Sequence, residues 1–200
     1  MSENDPAPAE RRTSPPTRRR IPSSDILVIG IGNVLLGDGG AGVRAAELAR
    51  SRLTDVHVVA SGAIGPATIA DLEGFSHIIV LDSIDVGRAP GTIVWFEAGD
   101  LSPCASSAVH EFGVADLLML VGQTSRAPEE AIVLGCQPAT LDMGAPLSLP
   151  VLVAIPRMVD QASLIIRAWA DGVATFDRTP LRRPCPDLAQ VVHAVSSTPA

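Results

Sequence analysis

One aspartate and one histidine stand out because each is next to a segment that should fix its position. Asp82 follows the apolar run 77–81, and His110 precedes a helical pattern at 114–121. A carboxylate at the carboxyl end of a buried strand lies where α/β proteins bind ligands, although aspartate is also a common helix cap or turn former. A lone histidine is often a hydrogen-bonded structural residue. One imidazole and carboxylates from separate loops are compatible with zinc or nickel.

Nucleophilic catalysis by serine or cysteine has little support in this sequence. There is no Gly-x-Ser-x-Gly segment, and Cys104, Cys136 and Cys185 form neither a Cys-x-x-Cys pair nor a zinc-ligand spacing. Cys136 ends a strand pattern, where a small buried thiol is the commoner role. The scattered, odd number of cysteines favours a reduced, cytoplasmic setting.

A glycine-rich loop follows the first apolar run, 25–31. A dinucleotide fingerprint requires a glycine three residues after Gly32, where Leu35 stands, and no acidic residue ends the second strand pattern. The chain has no lysine, so the Walker A motif is absent. We therefore expect no nucleotide cofactor. A nucleotide-binding enzyme that uses this loop is kept only as the least favoured interpretation of the sequence.

Composition and charge limit the partners and the domain count. The chain has 200 residues and a net charge of −7, which argues against broad nucleic-acid binding. No apolar run approaches the ~20 residues of a membrane span, so no membrane insertion is expected. We predict a disordered Pro/Arg-rich leader at 1–23, one folded unit at 24–171 and a loosely ordered Pro-rich tail at 172–200.

The hydrophobic pattern of the folded unit alternates between strand and helix. Continuous apolar runs predict strands, the first of them covered on both faces, and helical spacing predicts helices. The strands are 25–31, 56–60, 77–81, 92–96 and 131–136, of which 92–96 is expected to be more exposed, and the helices are 41–53, 66–72, 114–121 and 150–170. This order predicts an α/β fold with a mostly parallel sheet and helices on both faces.

Several short segments together resemble the hydrogenase maturation proteases, the endopeptidases that finish the large subunit of nickel-iron hydrogenases. The segments are 29–33 with 36–38 and 42–43, 79–82, 90–92, 107–117 with His110, and the Gly-Cys-Gln-Pro at 135–138. The resemblance covers about residues 25–170. It implies a three-layer α/β sandwich around a twisted five-stranded sheet.

The resemblance also implies a metal site of two carboxylates and one histidine. Asp82 and His110 fall on two of these ligands, and the third position, directly after Asp38, is occupied by Gly39. Asp38 is therefore expected either to shape the first loop or to stand in as a ligand, because Gly39 and Gly40 make that loop permissive. Two further alternatives are a ligand from Glu111 or Asp85, and an impaired protein that binds its precursor without cutting it.

The resemblance implies a particular substrate and mechanism. Nickel arrives already mounted in the hydrogenase large-subunit precursor, and the protease then removes a short C-terminal extension. Asp82, His110 and Asp38 are the expected catalytic residues, and water is the expected nucleophile, with the metal as Lewis acid, positioning template or both. We expect a cytoplasmic monomer that docks transiently to this precursor.

Overall fold

The computed structural model describes residues 20–62, 64–97, 114–124 and 127–172. Short 3-10 turns at Ser23–Asp25 and Gly37–Gly40 precede the first strand and the first helix. The strands are β1 (Ile26–Ile31), β2 (His57–Ser61), β3 (His77–Ser83), β4 (Ile93–Glu97) and β5 (Glu130–Cys136). The helices are α1 (Ala41–Arg52), α2 (Pro66–Leu72), α3 (Val114–Gly122) and α4 (Leu149–Asp171).

The five strands form one sheet in the order β2-β1-β3-β5-β4. β1 pairs in parallel with β2 and β3, and β3 pairs in parallel with β5. β4 is antiparallel to β5 and lies at the edge of the sheet. Every residue of β1 is buried, as are most residues of β3 and β5. Burial on both faces explains why these three strands appear in the sequence as continuous apolar runs. β4 is mostly half-buried, as expected at an edge.

Helices cover both faces of the sheet and create two separate hydrophobic clusters. On the first face, α1 and α4 pack against side chains that include Ile79 and Leu81 of β3. On the second face, α2 and α3 pack against side chains that include Ile78 and Val80. The predicted three-layer α/β sandwich with a mostly parallel five-stranded sheet is therefore confirmed.

Two glycines allow α1 to approach the sheet at backbone distance. A Cβ on Gly30 would lie 2.1 Å from the carbonyl oxygen of Gly42, and a Cβ on Gly42 would lie 2.1 Å from the carbonyl oxygen of Leu81. Neither distance is possible for a real side chain. Part of the glycine pattern in the first motif therefore serves helix–strand packing.

Helix α4 is long and apolar but carries one buried face. By length and composition alone it could cross a membrane. Its buried side chains, including Met158, Ile165 and Trp169, belong to the cluster on the first face of the sheet. Pro150 occupies the first turn, where a missing N–H costs nothing. α4 is thus the core helix that the sequence pattern predicted.

Most element boundaries differ from the predicted ones by one or two residues. The largest change is at β3, which continues two residues beyond 81 because Asp82 and Ser83 pair with Gly135 and Cys136. Asp82 is therefore part of the strand and not of the following loop. The predicted leader and tail lie almost entirely outside the described residues.

Candidate functional site

The candidate site lies at the carboxyl edge of the parallel strands. Because β1, β3 and β5 run in the same direction, the segments that follow them meet at one edge of the sheet. These segments are 32–40 after β1, 84–92 after β3 and 137–148 after β5. Asp82 and Asp38 both belong to this region, on β3 and in the loop after β1.

Asp82 projects from the second face of the sheet. Val80 and Ile78, two and four residues earlier, belong to the cluster under α2 and α3, and side chains alternate along a strand. Its Oδ1 accepts a hydrogen bond of 2.7 Å from the backbone N–H of Ser83. α3 begins at Val114, four residues after His110, and packs on this same face. His110 and Glu111 themselves lie outside the described residues.

The environment of Asp82 disfavours its ionised form. Burial raises the pKa of the Asp82 carboxyl to about 7, and the hydrogen bond from Ser83 only partly opposes this rise. A buried carboxyl of this kind ionises readily when a cation arrives, since the cation replaces the lost hydration. Asp82 is therefore suited to bind a positive charge that a partner brings.

Gly39, at the position of the expected third ligand, lies close to Asp82. Gly32 has a φ of +143°, and a Cβ at Gly32 would lie 2.1 Å from the Gly39 carbonyl oxygen and 3.7 Å from Oδ1 of Asp82. The Gly39 carbonyl accepts a 3.0 Å hydrogen bond from the N–H of Asn33. The loop thus brings the Gly39 backbone towards the Asp82 carboxylate without supplying a second carboxylate.

Asp38 is buried at 0 % exposure, and its carboxylate joins the first loop to the segment after β5. Oδ2 accepts hydrogen bonds from the N–H of Ala139 (2.8 Å), the N–H of Thr140 (3.2 Å) and the hydroxyl of Ser148 (2.8 Å). Oδ1 accepts a 2.7 Å bond from the N–H of Ser148. Burial raises the pKa of Asp38, but the hydrogen bonds from Ser148, Ala139 and Thr140 together hold it below its usual value.

The carboxylates of Asp38 and Asp82 lie on different sides of the sheet. Ser148 directly precedes α4, which packs on the first face, whereas Asp82 points to the second face. To act as a ligand beside Asp82, the Asp38 carboxylate would have to release all four hydrogen bonds. The observed geometry therefore corresponds to the loop-shaping alternative for Asp38.

Two other candidate residues, the possible ligand Asp85 and the possible nucleophile Cys136, are bonded or buried in ways that do not favour those roles. Asp85 Oδ1 accepts hydrogen bonds from the N–H of Gly87 (3.0 Å) and from Nε2 of Gln137 (2.9 Å). Cys136 is buried, and burial raises the pKa of its thiol to about 11, so that it remains unreactive at neutral pH. Within the four described ranges, no group of three or more His, Cys, Asp or Glu side chains could hold a metal ion.

Sequence comparisons identify the protein family to which this chain is similar. A family model described as HycI, hydrogenase maturation protease, matches residues 43–164. The hydrogenase expression/formation protein HupD of Rhizobium leguminosarum is 34% identical over 164 residues, covering 78% of this chain and 80% of that protein. HoxM of Cupriavidus necator is 30% identical over 151 residues, covering 72% and 75% of the two chains.

This chain belongs to the hydrogenase maturation protease family. The hydrogenase maturating endopeptidase HybD of Escherichia coli superimposes with a TM-score of 0.60 at 27% identity, covering 72% of this chain and 91% of that one. HycI of Thermococcus kodakarensis has the same fold, with a TM-score of 0.62 at 18% identity and coverage of 73% and 94%.

Two features of this hydrogenase maturation protease could not be assigned from its sequence motifs. Ser148 donates two hydrogen bonds to Asp38, but it lies in an irregular segment without any periodic signal. Gln137 belongs to the Gly-Cys-Gln-Pro segment, whose sequence does not reveal what its side chain contacts. In the structure that side chain binds the segment after β3.

Proposed function

We propose that this chain is the endopeptidase that removes the C-terminal extension of a nickel-loaded hydrogenase large-subunit precursor. The observation that carries the proposal is the partly buried Asp82 carboxyl, with its pKa raised to about 7, at the carboxyl edge of the sheet in a member of this family. The cytoplasmic location, the monomeric state and the absence of a nucleotide cofactor stay predictions from the sequence.

In this proposal the nickel belongs to the substrate. Asp82 and His110 bind the nickel that the precursor carries, and binding recognises a precursor that has received its metal. Approach of the cation stabilises the ionised form of the Asp82 carboxyl and offsets the effect of burial on its pKa. The precursor without nickel lacks this interaction and should bind poorly.

The proposed reaction is hydrolysis of one peptide bond. The oxygen of water bonds to the scissile carbonyl carbon, the carbon–nitrogen bond breaks, and the leaving amine takes up a proton. Nickel supplies positioning, polarisation of the carbonyl or both. This route needs no serine or cysteine nucleophile, in agreement with the inert thiol of Cys136.

Apolar side chains on the surface support a protein substrate. Leu35 is 64% exposed and Met143 is 82% exposed, on two loops joined by a 2.7 Å hydrogen bond from the N–H of Gly144 to the carbonyl of Leu35. Leu141, on the second loop, is also exposed and lies against Gly39. Exposed apolar residues grouped beside a site are typical of protein-binding surfaces.

A second candidate function is precursor binding without cleavage. Gly39 favours it, because only two of the three expected protein ligands are then present and each charged oxygen helps to offset the dehydration of the ion. A carboxylate can be restored at this position. Gly39 does not have a positive φ, and a Cβ there would lie 3.2 Å from Cβ of Leu36 and 3.5 Å from Cδ2 of Leu141. The carbonyl oxygen of Asn33 would lie 3.4 Å away. A shift of the loop by a few tenths of an ångström would accommodate the new Cβ, because the positions of the Leu36 Cβ and the Asn33 carbonyl are set by the backbone.

The two candidates are separated by intact-mass spectrometry of a nickel-loaded precursor after incubation with this chain. A nickel-dependent mass loss equal to a C-terminal extension supports the endopeptidase. Cleavage only by Gly39→Asp, together with wild-type binding of the precursor, supports the binding protein. Gly122→Asp is the matched control, because a Cβ at Gly122 has no atom within 4 Å and the added charge lies at the end of α3, away from the carboxyl edge of the strands. No cleavage by either chain and no binding contradict both candidates.

A further inference from the structure

Gln137 is a buried polar residue at the point where β5 ends beside the candidate site. It is only 5% exposed. Its backbone N–H donates to the carbonyl of Thr92 at 2.9 Å, and its carbonyl accepts from the N–H of Gly91 at 2.9 Å. Both partners lie just before β4, so the backbone of Gln137 closes the far end of the segment that connects β3 to β4.

The Gln137 carboxamide binds the near end of the same segment. Its Oε1 accepts hydrogen bonds from the N–H groups of Val86 (2.8 Å) and Arg88 (3.0 Å). Its Nε2 donates to Oδ1 of Asp85 (2.9 Å) and to the carbonyl of Pro138 (3.3 Å). Both hydrogens of the amide and both acceptor positions of its oxygen are thus used.

The segment held by Gln137 begins directly after the candidate ligand. Asp82 and Ser83 end β3, and the N–H of Ile84 donates to the carbonyl of Cys136 at 3.0 Å. The carboxamide then fixes the next turn, at residues 85–88. The turn therefore lies at the same edge of the sheet as Asp82, three to six residues further along the chain.

The turn also carries a positive charge to the edge of the sheet. Arg88 is exposed, and among the described residues of 32–40, 84–92 and 137–148 it is the only cationic side chain. Because the N–H of Arg88 is bound to Oε1 of Gln137, the amide fixes the backbone from which this cation projects.

We propose that Gln137 is a positioning residue for precursor recognition, which acts by holding the 85–88 turn and Arg88 beside Asp82. This inference rests on the proposed function, in its cleaving or its binding form. Gln137 is not expected to touch the reacting atoms. Its loss should therefore weaken binding of the precursor more than it slows the cleavage of bound precursor.

Gln137→Met tests the inference because methionine has a similar length and apolar bulk but makes none of the four hydrogen bonds. Exchange of the Val86 and Arg88 amide hydrogens should become at least about tenfold faster, since each loses its acceptor. The KM for nickel-loaded precursor, or the Kd if it is bound without cleavage, should rise about tenfold. The kcat should change by less than about threefold. Gln161→Met, at an exposed position of α4, is the matched control and should behave like the wild type.

A second pair of variants keeps the test decisive if Gln137→Met is poorly folded. Gln137→Glu retains an acceptor for Val86 and Arg88 but places a second carboxylate against Asp85. Adding Asp85→Asn to this variant restores a donor between the two side chains. The double variant should therefore bind the precursor more tightly than Gln137→Glu alone.

The outcomes are distinguishable from failure of the proposed function. Wild-type KM or Kd in Gln137→Met, or no recovery in the double variant, would overturn the positioning role while leaving the proposed function intact. A wild-type chain that neither binds nor cleaves the precursor would overturn the proposed function, and the positioning role with it. Faster exchange at Val86 and Arg88 together with weaker binding supports the role.

Discussion

Removing the charge of Asp38 should destabilise the fold, because this buried carboxylate accepts four hydrogen bonds (the Asp38 hub) from a segment that is distant in the sequence. In Asp38→Asn, the side-chain oxygen can replace Oδ2 and keep its three donors. The amide nitrogen then faces the N–H of Ser148, which loses its acceptor. In Asp38→Ala all four bonds are lost.

The magnitude follows from the number and kind of these hydrogen bonds. A hydrogen bond to a charged group contributes about 1.5–3 kcal/mol, so Asp38→Asn should lower the free energy of unfolding by about 2 kcal/mol. Four such bonds would exceed 6 kcal/mol if they simply added. We expect about 4 kcal/mol for Asp38→Ala, because the donors in 139–148 lie near the surface and regain water, and the cost of burying the carboxylate disappears.

The effect should depend on pH in a defined direction. The folded-state pKa of Asp38 is lowered below its ordinary value of 3.8 by the hydrogen bonds it accepts, so ionised Asp38 stabilises the fold above the unfolded-state pKa. This contribution is lost as the pH falls through the folded-state pKa. The difference in unfolding free energy between wild type and Asp38→Asn should therefore be full at pH 7 and smaller at pH 3.

Urea unfolding of both variants at pH 7 and pH 3, followed by circular dichroism, measures these differences. A loss below about 0.5 kcal/mol for Asp38→Ala at pH 7 would refute the hub. An equal loss for Asp38→Asn at both pH values would refute the role of the charge. Amide exchange in residues 139–148 should also accelerate in both variants, while exchange in β1 should follow global unfolding only.

Three other changes test separate parts of the structure. Gly42→Ala should prevent folding or lower the free energy of unfolding, measured with urea, by more than about 4 kcal/mol, because the new Cβ would lie 2.1 Å from the carbonyl oxygen of Leu81. A stable, wild-type-like protein would contradict the close packing of α1. The double change Leu35→Ser and Met143→Ser should weaken precursor binding about tenfold in a titration and alter stability by less than about 0.5 kcal/mol, whereas Leu164→Ser, at another exposed leucine, should leave binding unchanged. His110→Ala should abolish processing in the mass assay with a wild-type unfolding curve, and full processing by this variant would remove His110 from the proposed ligands.

The sheet and its helices could be predicted from the sequence because their signals are local. The central strands are buried on both faces, so each appears as one apolar run, and α2 has the predicted limits of 66–72. The residue at which β3 ends was harder to predict. Asp82 is polar, and a polar residue after an apolar run normally indicates a loop, but pairing with Gly135 keeps it in the strand.

The contacts of the candidate site could not be predicted because they join residues far apart in the sequence. Asp38 binds donors 101 to 110 residues away, in a segment without helical or strand periodicity. The Gln137 carboxamide binds backbone groups 49 and 51 residues earlier. A sequence motif can identify a side chain as a candidate functional residue. It does not identify the hydrogen-bond partners of that side chain, because these depend on which loops the sheet brings together.

The placement of the two aspartates makes the Gly39→Asp comparison the sharpest test of the proposed ligand set. The Asp38 carboxylate is bound to Ser148, directly before α4 on the first face of the sheet, whereas Asp82 points to the second face. The Gly39 carbonyl and the Asp82 carboxylate both lie near Gly32. A carboxylate at 38 therefore cannot replace one at 39 without breaking the hub. If the wild type cleaves the precursor, Asp82, His110 and water suffice as ligands or Glu111 completes the set. If only Gly39→Asp cleaves, the scaffold has kept everything except that one carboxylate.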